Sequence, residues 1–254
     1  MMKYFVKEDS IVRQIWGKAD TVLFIFAGAA AEFALNKAVD WLYFTGRLPA
    51  DPLARLFSTV EYSSKIIFSE HDKALAAIDK IAAIHQGVEM ARGAQIPDWA
   101  YRDVLFMLID YSIRSFELLE RKLTIAEKEE VFNTFYRLGE RMKLTGLPQT
   151  YTEWLVMRKT HLQANFSKSN YTIDLYKKYR EHLGFVRYQL LKQVQTILVP
   201  KSVRTMLTLG NAPLLKPILW LYKLTRLIKL DWLLKEAILP NEYKAQVRGL
   251  DVAL

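Results

Sequence analysis

The side chains that could carry chemistry are few. The chain has four histidines, at His71, His85, His161 and His182, and no cysteine. Without cysteine there is no thiolate nucleophile, disulfide framework, zinc finger or iron–sulfur cluster. No histidine pair has the H-E-x-x-H spacing of a zincin, and no glutamate is followed three residues later by histidine, as a ferritin-like di-iron site requires. The glycine-rich phosphate loops and the G-x-S-x-G nucleophile elbow are also missing. One histidine stands apart. His85 follows Ile78 by seven residues and Ile81 by four, so helical geometry puts it on an apolar face. A neutral imidazole turned into an apolar interior either hydrogen-bonds a core partner or binds a metal or haem iron. On these residues alone the satisfied core histidine is the commoner case. His71, between Glu70 and Asp72, reads as exposed, while His161 and His182 lie among polar residues and carry no signal.

Arg55 and Thr59 form the second feature. They are four residues apart, so they project from one helical face, with Leu53, Leu56 and Val60 as apolar neighbours. A buried guanidinium keeps its charge at ordinary pH and needs an anion. A core carboxylate would serve, and so would the anionic group of a ligand such as a haem propionate. The acidic run Glu127, Glu129 and Glu130 reads as a solvated first turn, where carboxylates suit the helix dipole.

These groups must be positioned by helices. Asp51-Pro52 reads as an N-cap with proline at the first helical position, opening a helix to about Phe68, after which Ser69 can cap the next. That next helix carries Leu75, Ile78, Ile81, Ile84 and Val88 on one broad apolar face and should end near Gly93. Asp98 opens a third. Thr124 with Glu127 forms a capping box whose helix should end near Gly146. Further helical patterns cover Glu153–Phe166, Ile173–Leu198 with a break at Gly184, and Pro217–Ile238. No run alternates with period two over a strand's length, and Gly (10) and Pro (8) are too scarce among 254 residues for a turn-rich β fold. The expected fold is all-α, as one domain.

The net charge of +9 is uneven: residues 186–254 hold 11 Lys and Arg against 4 Asp and Glu, the rest 25 against 23. Within the basic quarter, residues 217–238 combine Trp220 and Trp232 with Lys223, Arg226, Lys229 and Lys235, the pattern of a basic amphipathic helix at a membrane surface. The same apolar face could instead close the domain. The charge-free stretches Thr21–Ala31 and Thr205–Leu215 are far shorter than the ~20 residues of a spanning helix. Acidic Glu8, Asp9 and Asp20 argue against a signal peptide. A cytoplasmic protein, peripheral at the membrane through 217–238, is the expectation. No nucleic-acid-binding motif accompanies the basic charge, so a nucleic-acid partner is not expected.

The string Asp51-Pro52-Leu53-Ala54-Arg55-Leu56-Phe57-Ser58-Thr59 resembles the D-P-x-x-R-L-x-x-T signature of the latex-clearing (rubber) oxygenases and MpaB-type oxygenases. His85-Gln86-Gly87-Val88 is similar to that family's H-x-x-V histidine context, and a looser likeness spans most of residues 10–215. The resemblance implies an all-α domain with a globin-like core holding haem b. It implies His85 as axial iron ligand and Arg55 and Thr59 close to the haem, as cofactor-binding and catalytic residues. Dioxygen and a hydrophobic, isoprenoid-like substrate are the implied partners. Ser58 stands where rubber oxygenases carry a lysine, Met90 and Ser69 where the family has glycines, and Glu32 or Asp40 could serve as the distal acidic base. A competing class is a non-catalytic membrane-surface or interaction protein on the same scaffold.

Overall fold

In the computed structural model, residues 3–211 together with 217 and 222 are described. Among them the regular structure is helical, with two isolated bridges, Tyr4 with Glu70 and Asn36 with Phe166, and no strand. The first two helices are α1 (Ile11–Trp16) and α2 (Ala19–Leu35). Nearly all of α2 is buried, including the run Ala27, Gly28, Ala29, Ala30 and Ala31. Such small side chains let neighbouring backbones come close, and α2 packs most heavily on α7 (Asp98–Leu119) and α10 (Asn170–Leu198). The charge-free stretch Thr21–Ala31 therefore lies largely within the core.

Short helices α3 (Val39–Phe44) and α4 (Arg47–Ala50) lead into α5 (Pro52–Phe68). Asp51 caps α5 as its sequence implies: its carboxylate accepts from the backbone N–H groups of Leu53 and Ala54, with Pro52 next in line. Ser69 closes α5 and does not cap the following helix, α6 (His71–Arg92). Glu70 precedes α6 without a side-chain cap, because its segment is tied back to the N-terminal chain through the bridge to Tyr4. Gly93 ends α6 in the left-handed region at φ +68°, donating to Glu89 O and Met90 O.

The broad apolar face expected on α6 is only half used. Ala74 and Ile78 are buried, Leu75 and Ile81 lie partly against the core, and Ile84 is 43% and Met90 77% exposed. α6 pairs mainly with α5 and touches α8 (Ile125–Arg141), so its C-terminal half stands at the margin of the fold. That half carries His85.

The Thr124–Glu127 capping box of α8 is present with both bonds made. α8 stops at Arg141, earlier than Gly146, because Lys143 turns left-handed at φ +58°. Thr150 caps α9 (Tyr151–Ala164), and α10 is broken at Gly184, whose φ of 70° and ψ of 170° leave the helix. α11 (Lys201–Met206) follows. The amphipathic helix expected over 217–238 lies outside the described residues apart from Pro217 and Tyr222. No helix among the described residues is long and apolar enough to cross a membrane.

Candidate functional site

α5 and α6 lie side by side, and their pairing brings His85 and Arg55 into electrostatic contact. His85 Nδ1 is buried and has no hydrogen-bond partner, so the satisfied core histidine is not what the fold contains. Tyr101 of α7 holds the imidazole edge-on, with ring centroids 5.2 Å apart and planes at 82°. Burial, and after it the positive charge of Arg55, push the imidazole down to about 4, while Glu89 one turn along α6 pulls the other way. At neutral pH the ring is uncharged.

Arg55 is half-buried. Its Nη1 donates to Thr59 Oγ1 at 2.8 Å and to Ser58 Oγ at 3.3 Å, and Ser58 Oγ donates back to Arg55 O at 2.8 Å. Two hydroxyls therefore fix the guanidinium on the α5 face near His85. Ser58, where a longer cationic side chain would reach outward, is folded into this local set.

Sequence reasoning missed three further residues around His85. Glu89 Oε1 accepts from the Ile96 backbone N–H at 2.9 Å and from Tyr101 OH at 3.1 Å, tying the end of α6 to the start of α7. Burial, and after it the charge of Glu89 and this bond, raise the Tyr101 phenol well above its ordinary value, so it stays protonated. Arg92 lies seven residues beyond His85, hence on the same face of α6. Its guanidinium stacks 4.0 Å over Trp41, pairs with Asp40 at 2.6 Å and leaves Nη1 buried without a partner. Its signal in the sequence was the i, i+7 spacing from His85.

Of the two carboxylates considered for a distal base, Asp40 reaches the His85 helix through Arg92. Glu32 is committed elsewhere. It is fully buried, accepts from Arg158 Nη2 at 2.5 Å and from Tyr111 OH at 2.6 Å, and Arg158 also donates to Asp110 at 3.1 Å and 3.2 Å. Burial raises the carboxyl of Glu32 despite Arg158. A second buried set centres on Asp103, which accepts from His161 Nδ1 at 2.6 Å, Asn36 Nδ2 at 2.9 Å and Asn165 Nδ2 at 3.0 Å. His161, dismissed from the sequence, is thus a buried member of a polar cluster. Neither set touches His85 through a hydrogen bond among the described residues.

Among the described residues no group of three or more His, Asp or Glu side chains could enclose a metal ion. The α5–α6 site instead offers one neutral nitrogen, a fixed cation beside it and flanking hydroxyls.

The family model described as "ER-bound oxygenase mpaB/B'/Rubber oxygenase, catalytic domain" matches residues 13–230. That span includes α5 and α6 with Arg55, Thr59 and His85. No curated protein matches the chain. The match covers most of the sequence.

The chain therefore belongs to this family of oxygenase catalytic domains.

Proposed function

We propose that this oxygenase-family domain uses haem b, with His85 as the axial ligand, to oxidise a hydrophobic substrate with dioxygen. The observation that carries this reading is the buried, unpartnered Nδ1 of a neutral His85 lying next to Arg55. A histidine that served only packing would have its polar edge satisfied. The absence of cysteine leaves histidine as the protein's best iron ligand.

When bound, the haem supplies the oxygen chemistry. The chain's own residues bind and orient. His85 offers one nitrogen, and burial together with Arg55 keeps the ring neutral down to about pH 4. Arg55 presents a positive charge to a carboxylate edge of the group, with Thr59 and Ser58 holding the guanidinium in place. Arg92, with its own buried unpartnered Nη1, is placed for a second carboxylate. Tyr101 restricts rotation of the imidazole. Ile84 and Met90, exposed on the same helix, provide apolar surface for an isoprenoid-like molecule. Contact between residues 217–238 and a membrane, from which such a molecule could be collected, belongs to the same proposal.

The test is an absorption spectrum of the purified chain with added haem, followed by a pyridine haemochrome assay. The expected result is about one haem per chain with a Soret band that His85→Ala removes while helix content by circular dichroism survives. Arg55→Leu and Thr59→Val should lower haem occupancy without abolishing it. A Soret band unchanged in His85→Ala would overturn the assignment.

A further inference from the structure

A second feature lies between α7 and α9. An open cleft of about 650 Å³ is lined by Arg102 of α7 and by Glu153, Val156, Met157, Thr160 and His161 of α9. The α9 residues follow the i, i+3, i+4, i+7, i+8 pattern, so one helical face forms the wall. Val156 is 67% exposed and adds apolar surface to this wall.

The inner end of this cleft is built, not incidental. Asp103 is fully buried and its carboxylate is held by the amides of Asn36 and Asn165. It takes up the Nδ1 side of His161 at 2.6 Å. Phe106 packs against the imidazole, with centroids 5.0 Å apart. An ionised carboxylate accepts only, so the Nδ1 side of His161 donates to it and Nε2 is left as the ring's other polar atom. Nε2 has no partner among the described residues, and His161, itself only 8% exposed, is one of the residues that line the cleft. Arg102 supplies the complement. Its Nη1 donates to Thr145 O at 2.6 Å, while its Nε is buried without a partner. Glu153 Oε2 accepts from the Gln149 backbone N–H at 2.7 Å.

We propose that this cleft binds an apolar carboxylic acid, its carboxyl group between His161 Nε2 and Arg102 and its hydrocarbon chain along Val156 and Met157. A carboxyl group is the simplest function offering one acidic proton to an imidazole and a second oxygen to a guanidinium. The pairing holds whether the proton rests on the acid or on His161. An alcohol lacks the second oxygen, and a cationic amphiphile is repelled by Arg102. The inference is independent of haem binding.

Calorimetric titration of the full chain with decanoate, below its micelle concentration, tests it, with decan-1-ol and decyltrimethylammonium alongside. Saturable binding of one decanoate per chain is expected, at least tenfold tighter than decan-1-ol. His161→Phe, which keeps the ring packing, and Arg102→Gln should each weaken decanoate at least tenfold. Because His161→Phe could unfold the protein, ¹⁵N chemical shifts of the wild-type imidazoles provide a second readout. Decanoate, and not decan-1-ol, should move the Nε2 resonance of His161. Equal binding of decanoate and decan-1-ol would overturn the proposal. So would a stationary His161 resonance at saturation, or binding lost in His85→Ala but retained in both cleft variants.

Discussion

The ring of Tyr111 lies directly against Gly28: a β-carbon built on the glycine would come within 2.3 Å of two ring atoms. Both residues are buried, on the two helices that form the heart of the fold, and the phenol of Tyr111 is anchored beyond the contact to Glu32. Gly28→Ala must therefore push α2 and α7 apart or break that hydrogen bond. Overpacking of this kind costs about 1–3 kcal/mol, which exceeds the roughly 1 kcal/mol that alanine gains over glycine in a helix. Gly87, in the interior of α6, has nothing within 4 Å of its would-be β-carbon, so Gly87→Ala should stabilise by up to about 1 kcal/mol. Thermal melts of the two variants should move in opposite directions.

Arg158 joins α9 to α2 and α7 through Glu32 and Asp110, and all three side chains are shielded from solvent. Arg158→Met leaves the buried Glu32 without its cation, while Asp110 keeps Arg114 at 2.6 Å. The loss should be about 3–5 kcal/mol by urea denaturation, the usual cost of breaking a buried pair from one side. Adding Glu32→Gln to Arg158→Met should recover part of it, because one stranded charge is removed. A double variant no more stable than Arg158→Met alone would show that Glu32 is already protonated once Arg158 is gone.

Arg55 acts on His85 through space, and this can be read without any cofactor. Arg55→Leu should raise the titration midpoint of His85 from about 4, yet leave it below the ordinary 6.5, because burial is the larger cause. Arg55→Lys keeps the charge and should leave the midpoint near its wild-type value. Histidine ¹H–¹⁵N titrations follow both. A midpoint indifferent to Arg55→Leu would mean that the two helices do not hold these side chains together in solution.

The same depression links His85 to acid stability. Above pH 6.5 the ring is neutral in both folded and unfolded chains, and its titration contributes nothing. As pH falls from about 6.5 to about 4 the unfolded chain takes up a proton that the folded one refuses, so stability is lost across that window. The full effect is about 3 kcal/mol at 1.36 kcal/mol per pH unit. His85→Phe cannot titrate there. The wild type should therefore lose stability relative to His85→Phe between pH 6.5 and 4, measured by denaturant unfolding of the cofactor-free proteins.

Local signals in the chain determined a good deal. The cap at Asp51-Pro52, the capping box at Thr124 and Glu127, the glycine stop at Gly93 and the break at Gly184 each involve residues within one helical turn of each other. Their hydrogen bonds and backbone angles are therefore written in adjacent letters. The i, i+4 pairing of Arg55 with Thr59 was legible for the same reason. Ser69 was misread because both helix ends compete for it, and the choice was made by a bridge to the distant Tyr4. Tertiary structure alone decided whether a polar side chain would be satisfied. His85 has the sequence context of a core histidine, and only the pairing of α5 with α6 leaves its nitrogen without a partner next to a cation. His161 has the context of a surface residue, yet it is buried because Asp103, 58 positions earlier, meets it across the α7–α9 interface. Periodicity tells which face of a helix is apolar, but not which neighbouring helix will cover that face or which charge that neighbour will carry.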